Sequence, residues 1–580
     1  MRWQPRSPEP ESSSVDSLAR EAHLDPLLAR LLMARGVRSA EEASRFLKPS
    51  LSHLYAPAAM LGMQAAVERL SAAIERREQA LIYGDYDVDG TVAIVILKTA
   101  IELCGGVAGF HVPHRIRDGY GMKGEVIEAA AAAGVRLVIS VDTGIRAFAA
   151  AEAAQRAGVD LIVTDHHLPE ASEGVPRALA VLNPNQAGCP YPTKALCGAG
   201  VAFKLAQALL EKYGRERVLP SFLKILALAT IADAVALTGE NRVFASLGLE
   251  GLRSPVNPGL KALLDVAALN GSRPLTATDV GFRLAPRINA AGRMDVAQDV
   301  IELLTVRDPQ RAGQIAAHLD QLNSERQQEE RRILEEIDKQ IADNPSLREA
   351  WCMVLEGEGW HRGVIGITAT RVVERYSRPA LVVSRETGEN AEAHGSGRSI
   401  PAFHLLDALE SSKHLFSRYG GHAHAVGFAL PASRLPELRA AMDACARRQL
   451  TREDLEPTLA VDAELPLERV GKDLYRTVQQ MAPFGKGNPE PVLVSRGVRL
   501  LQPPQPIKEQ HVKLRIAEPG SAGGSVKRAF DALGWRMAES VGALGLAPGD
   551  TLDVAYTLQE NTNPDFGGLQ LTLADVKKAS

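Results

Sequence analysis

From Ala80 onward, short β-branched runs alternate with Ala-rich runs, and no other feature constrains the fold of this 580-residue chain as strongly. Ala80-Leu81-Ile82-Tyr83 precedes a predicted helix from Thr91, and Leu137-Val138-Ile139-Ser140-Val141 precedes one from Arg146. Leu161-Ile162-Val163-Thr164 and Ala178-Leu179-Ala180-Val181-Leu182 continue the series. Strands separated by helices of about 10–15 residues pair in parallel, because each crossover returns the chain to the same end of the sheet. An α/β sheet of this kind gathers its functional groups at the carboxyl ends of its strands.

Those strand ends are acidic. Asp85, Asp87 and Asp89 follow the first strand, with Gly90 available for a tight turn into the next helix. Asp142 follows the second, and Asp165-His166-His167 follows the third. A single aspartate after a strand is more often a helix cap, and a lone His-His pair is more often a satisfied polar pair. Together they read differently, because groups at neighbouring strand ends converge in space. Crowded carboxylates repel one another unless cations neutralise them. Hard oxygen donors mixed with imidazole suit Mn²⁺ or Mg²⁺, and two such ions about 3.5–4 Å apart serve phosphoester hydrolysis.

The length exceeds what one hydrophobic core supports, so several units are expected. Residues 1–16, rich in Pro, Ser and Glu, read as disordered, and helical periodicity follows from Leu18 to Arg76. Ile315, Leu319, Leu322, Ile333, Ile337 and Ile341 recur at helical spacing between Pro309 and Asp343, which predicts a long helix bridging two domains. A second α/β region is expected over Trp351–Arg448, and strand patterns such as His511-Val512-Lys513-Leu514-Arg515-Ile516 predict a terminal β-barrel. Five scattered cysteines argue for a reducing, cytoplasmic compartment, and no apolar stretch approaches a membrane span. A net charge of −4 excludes indiscriminate coating of nucleic acid but leaves room for a local basic groove.

At these residues the chain resembles the DHH phosphoesterase superfamily, and within it the bacterial single-strand-specific exonucleases. The likeness rests on Tyr83-Gly84-Asp85-Tyr86-Asp87-Val88-Asp89-Gly90, Asp165-His166-His167, Cys197-Gly198-Ala199-Gly200 and Ile231-Ala232-Asp233. Further motifs are Pro286-Arg287-Ile288-Asn289-Ala290-Ala291-Gly292-Arg293, Trp360-His361-Arg362-Gly363, Ser396-Gly397-Arg398-Ser399, Gly420-Gly421-His422 and Phe484-Gly485-Lys486-Gly487-Asn488-Pro489. The resemblance implies an α/β fold: a parallel-sheet DHH domain, joined by the long helix to a second α/β (DHH-associated) domain, plus a C-terminal OB-like barrel. The implied divisions are an N-terminal disordered or helical segment over 1–50, the catalytic domain over 51–245 and a helical region with the connecting helix over 246–345. The associated domain then spans 346–450 and the nucleic-acid-binding barrel 451–580. By the same resemblance there are two Mn²⁺ or Mg²⁺ ions, one held by Asp87 and Asp142 and the other by Asp89, Asp142, His166 and Asp233. The implied role of His167 is to act on the substrate phosphate or the attacking water, with Asp85 behind the ligands. Arg115, Arg287, Asn289, Arg293, Ser396, Arg398 and His422 are the implied substrate contacts.

Many superfamily members carry a histidine where this chain has Tyr83, which implies a first ion with fewer protein ligands. The implied activity is a 5′→3′ exonuclease on single-stranded DNA, releasing 5′-mononucleotides in repair and recombination. A single-strand-binding protein and a recombinational helicase are the implied partners. The rival readings are a phosphodiesterase of short oligoribonucleotides or cyclic dinucleotides, and a replication scaffold without catalysis.

Overall fold

A computed structural model describes residues 1–119, 121–170, 172–271, 273–295, 297–388, 391–518, 528–561 and 568–579. The chain divides into two compact units. One comprises Leu54–Val235 and Leu247–Glu456; the other comprises Met1–His53, Ala236–Ser246 and Pro457–Ser580.

The larger unit holds the predicted parallel sheet. Its strands are Gln79–Tyr83, Val107–His111, Leu137–Val141, Asp160–Thr164 and Ala180–Leu182. Their spatial order is Val107–His111, Gln79–Tyr83, Leu137–Val141, Asp160–Thr164, Ala180–Leu182, and every neighbouring pair is parallel. The first and third strands in sequence therefore lie side by side, and the crossovers leave them in opposite directions. That is the topological switch point of the sheet, where a crevice opens beyond the strand ends. Leu137–Val141 is buried along its whole length, which explains its unbroken apolar run. The edge strand Val107–His111 escaped the sequence reading: Val107 is exposed, and Gly109 interrupts the β-forming run.

The long helix runs over Pro309–Asp343, as the periodicity predicts, and is capped by Asp308, whose carboxylate accepts the Gln310 and Arg311 amides. At 1.5 Å per residue it spans about 50 Å. Its N-terminal half packs on Pro258–Val266 and Ala285–Met294, and Ile333, Ile337 and Ile341 join the core formed by Met353, Leu355, Trp360 and Val364. Beyond it lies a five-stranded mixed sheet in the order Arg418–His422, Ala425–Pro431, Glu392–Arg398, Ala380–Arg385, Met353–Glu358. Only the last pair is parallel.

In the smaller unit, Leu493–Leu500, His511–Ala517, Ala529–Gly534, Gly568–Lys578 and Thr551–Asn561 form a ring that closes where Arg499 and Leu500 pair with Ala517 and Ile516. This is a five-stranded barrel of OB type. The N-terminal residues are not disordered. Arg2–Pro5 pairs in parallel with Thr458–Val461, Trp3 donates to Asp575 Oδ2 at 2.7 Å, and Arg6 binds the buried Asp462 at 2.8 Å. One aromatic and one arginine anchor a stretch whose average composition argues against order. Nor is the following helical segment separate: Val15, Leu18, Leu28, Leu31, Leu32 and Phe46 share a core with Leu493, Val512, Leu514, Ile516 and Tyr556.

All five cysteines are buried and unpaired. Among the described residues no helix is long and apolar enough to cross a membrane.

Candidate metal centre

Asp85, Asp87, Asp89 and Asp142 sit beyond the two strands that flank the switch point. Asp87 caps the helix Val88–Leu103 by accepting the Gly90 amide at 3.0 Å, and Asp89 lies in its first turn. Asp142 adopts φ +59° directly after its strand, anchored by its amide on Thr164 O at 3.0 Å. A left-handed aspartate costs on the order of 1 kcal/mol, and such strain concentrates at functional sites. Asp233 terminates the helix Leu219–Ala232 and points its carboxylate to within 3.8 Å of His166 Nε2.

His166 Nε2 is the hub, lying 3.2 Å from Asp142 Oδ1 and 3.8 Å from Asp89 Oδ2. Burial lowers the pKa of His166, which favours the neutral ring that can ligate. Asp142 Oδ1 is buried and makes no hydrogen bond, and neither does Asp85 Oδ1. Buried oxygens left without a hydrogen bond are what a shared cation satisfies. The donor atoms of Asp89, His166 and Asp233 lie within 4.8 Å of one another, and so do those of Asp85, Asp87 and Asp142. Two adjacent sets of oxygen and imidazole donors fit Mn²⁺ or Mg²⁺. Burial and mutual repulsion raise Asp142 well above the carboxylate range and raise Asp89 as well, and burial beside Asp87 pushes Asp85 up to about 8.

Asp165 does different work. Its Oδ1 accepts the His166 and His167 amides at 2.7 and 3.1 Å and His167 Nδ1 at 2.7 Å, while Oδ2 accepts the Ile145 amide at 2.9 Å. Burial alone would raise it, but the His167 contact outweighs that and holds it ionised. Burial likewise opposes charge on His167, yet the Asp165 hydrogen bond and charge prevail and raise it to about 9. Across from it His422, at the end of the edge strand Arg418–His422, stacks on the His167 ring with centroids 6.5 Å apart.

Three arginines gather here. Arg115 lies over the Tyr86 ring at 4.0 Å, and Arg293 donates to Gly363 O at 3.1 Å. Burial, reinforced by Arg115 and Arg326, lowers Arg293 to about 9, while burial and Arg115 lower Arg398. Guanidiniums crowded in this way are poised for an anion with several oxygens. Two of the residues expected to contact substrate also have structural partners. Arg287 binds Asp320 at 2.8 Å and Arg283 O at 2.5 Å, contacts that brace helices. Asn289 accepts the Val88 amide at 3.2 Å, which sets the start of the helix behind Asp87.

The small residues around Arg398 do not open backbone amides to a phosphate. Ser396, Gly397 and Arg398 form the end of a strand paired on both sides, against Val382, Leu381 and Ala380 and against Gly427, Val426 and Ala425. A side chain at Gly397 would strike Leu381 and Val426, so this glycine serves packing. Arg398 and Ser396 offer side chains only, and Arg398 Nη1 reaches Ser396 Oγ at 3.3 Å.

Sequence reasoning missed Arg326 and the Gly198 and Ala199 amides. Arg326 interrupts the apolar stripe of the long helix four residues after Leu322, and a charge in such a stripe was the available signal. Gly198 and Ala199 open the helix Gly198–Lys212 and donate to Asp89 Oδ2 and Oδ1 at 2.6 and 2.8 Å.

Comparison with known proteins identifies the domains. Residues 79–230 match the DHH family N-terminal domain, 350–448 the DHHA1 domain and 461–575 the RecJ OB domain. The single-stranded-DNA-specific exonuclease RecJ of Bacillus subtilis is 36% identical over 97% of this chain and 69% of its own length. The chain belongs to the RecJ family. The crystal structure of RecJ from Thermus thermophilus in complex with Mn²⁺ superimposes with a TM-score of 0.84 at 28% identity, covering 100% of this chain and 80% of that one. A Mg²⁺ complex of RecJ from the same organism gives 0.77 at 26% identity, covering 100% of this chain and 79% of that one. In the RecJ family frame, the parallel sheet is the DHH domain, the mixed sheet the DHHA1 domain and the barrel the OB domain.

Proposed function

We propose that this chain is a metal-dependent exonuclease that degrades single-stranded DNA from its 5′ end to mononucleotides, in DNA repair and recombination. The observation that carries the reading is the meeting, at one switch point, of two acid and imidazole donor sets with three guanidiniums, for none of which a carboxylate lies within ion-pair distance among the described residues. Asp87 and Asp142 would hold one Mn²⁺ or Mg²⁺ ion, and Asp89, Asp142, His166 and Asp233 the other, with Asp142 shared. Such ions supply Lewis-acid charge at phosphoryl oxygens and lower the pKa of a water.

The protein's own groups do the rest. Arg115, Arg293 and Arg398 bind and orient the phosphate, and Ser396 steadies Arg398. His167, oriented and kept cationic by Asp165, donates a hydrogen bond through Nε2 to a phosphoryl oxygen, while His422 closes the site from the DHHA1 side. The OB domain supports a polymeric single strand as substrate over an oligoribonucleotide or cyclic dinucleotide, and the intact acids and histidines support catalysis over a scaffold role. By family resemblance, a single-strand-binding protein and a recombinational helicase are its partners. Five unpaired buried thiols support a reducing, cytoplasmic setting.

The test is a panel of labelled single-stranded DNA, duplex DNA and RNA of one sequence, plus a cyclic dinucleotide, each with Mn²⁺ and with chelator. Single-stranded DNA should be consumed fastest, and only with metal. Faster turnover of the RNA or the cyclic dinucleotide would reassign the substrate.

A further inference from the structure

Gly198 stands between two of the candidate ligands. Its amide donates to Asp89 Oδ2 at 2.6 Å, and the next amide, of Ala199, holds Oδ1 at 2.8 Å. Both oxygens of Asp89 are thus tied to the first turn of one helix, where amides have no partners within the helix. The other side of Gly198 meets Asp142. A Cβ built there would lie 2.5 Å from both Cβ and Oδ1 of Asp142, distances that side-chain carbons do not tolerate. Asp142 cannot retreat, because its backbone is fixed at φ +59° with its amide on Thr164 O. Gly200, two residues on, differs: a Cβ there would meet nothing closer than Leu196 at 3.5 Å.

We infer that Gly198 is a positioning residue of the metal centre, whose amide fixes Asp89 and whose missing side chain admits Asp142, so that one residue sets the separation of the two carboxylates. The inference rests on the reading of Asp89 and Asp142 as metal ligands. A helix N-terminus alone would not carry it; the buried, unpartnered Oδ1 of Asp142 facing His166 Nε2 supplies the independent indication of a cation. Gly198 touches no reacting atom. Its effect passes through the two carboxylates, so it must appear in metal binding before it appears in turnover.

The experiment is Mn²⁺ titration of the full chain, read by electron paramagnetic resonance of free Mn²⁺ and by calorimetry, in the parent, Gly198→Ala and Gly200→Ala. The parent and Gly200→Ala should bind Mn²⁺ alike, while Gly198→Ala should bind roughly tenfold or more weakly, the usual scale for disturbing groups that orient ligands. Thermal unfolding of the metal-free proteins shows whether Gly198→Ala folds. Should it not, the double variant Gly198→Ala/Asp142→Gly decides, since glycine suits a left-handed backbone and removes the opposing side chain. Recovery of folding in the double variant places the clash at Asp142 as inferred, whereas failure of both overturns the inference. Parent-like Mn²⁺ binding by a folded Gly198→Ala overturns it while leaving the metal-centre reading intact. A parent that binds no Mn²⁺ removes the metal-centre reading and the inference with it.

Discussion

Asp142 is the residue that matters most, since it is the proposed shared ligand, lies 3.2 Å from His166 Nε2 and has an Oδ1 that accepts no hydrogen bond. Asp142→Ala should abolish turnover in Mn²⁺ yet leave the metal-free fold intact, because it also removes a buried carboxylate from an acidic cluster; activity assays paired with thermal melts check both halves. The same crowding has a pH signature. Asp85 is raised to about 8 in the fold against 3.8 as a free side chain, and Asp89 and Asp142 are raised as well. A raised folded pKa gives stability that is full at low pH and disappears as pH rises through the folded value, so the metal-free protein should weaken toward pH 8. The rise in melting temperature on adding Mn²⁺ should then be larger at about pH 8 than at about pH 5.5, and the reverse order would contradict the assignment. His167 titrates the other way round its partner: its imidazolium persists up to about 9 through Asp165. Asp165→Asn should therefore move the alkaline fall of kcat/KM toward neutral pH, and a pH profile measures it. At this scale the acids and His166–His167 were legible from strand-end positions. The Gly198 and Ala199 amides were not, because a backbone donor leaves no trace in residue type.

Elements show why some interactions could be read and others not. The parallel strands and the helix Pro309–Asp343 follow from periodicity, because burial on one stripe or both faces fixes residue type over many positions. Ser396-Gly397-Arg398 reads locally as a turn because of its small residues, but Gly397 makes room for Leu381 and Val426, and Gly395 just before it for Phe428, within a strand. Tertiary packing overrides the local signal. As the strand's amides are engaged in the sheet, recognition at this element must come from the Arg398 side chain. Arg398→Ala should weaken selection for a 5′-phosphorylated end by about 1.5–3 kcal/mol, the scale of removing one charge-assisted hydrogen bond. Competition between phosphorylated and hydroxyl 5′ ends measures this, and equal discrimination by parent and variant would remove Arg398 from recognition of the terminus.

At the scale of the whole molecule, the chain's ends belong together. Residues near Val15–Phe46 share the barrel's core, Arg35 reaches Asn488 and Pro489, and Arg242 reaches Met481 and Ala482. Pairings between residues 453 positions apart have no local sequence signal, so the N-terminal segment could not be assigned to the barrel in advance. Truncation after Cys445 would expose the apolar face of Leu28, Leu31 and Leu32. The truncated protein should bind a hydrophobic dye and self-associate in sedimentation, so it is a poor probe of DNA binding. Point variants suit that question better. Among Lys508, Lys513, Arg515, Lys527 and Arg528, candidates to neutralise phosphates along the barrel, Arg515 is paired with Asp531 and Arg528 with Val470 O, whereas Lys527, like the aromatic Phe566, lies outside the described residues. Lys508 and Lys513 remain, and replacing both by alanine should flatten the salt dependence of binding to a long single strand. The log–log slope should fall by about 0.7 for each phosphate that is no longer neutralised. Metal-dependent attack from the 5′ end is tested by release of label from 5′-radiolabelled single-stranded DNA by the full chain, with Mn²⁺ and with chelator. The account predicts labelled mononucleotide as the first product, in Mn²⁺ only. Label retained on shortened strands, or release that persists in chelator, would contradict it.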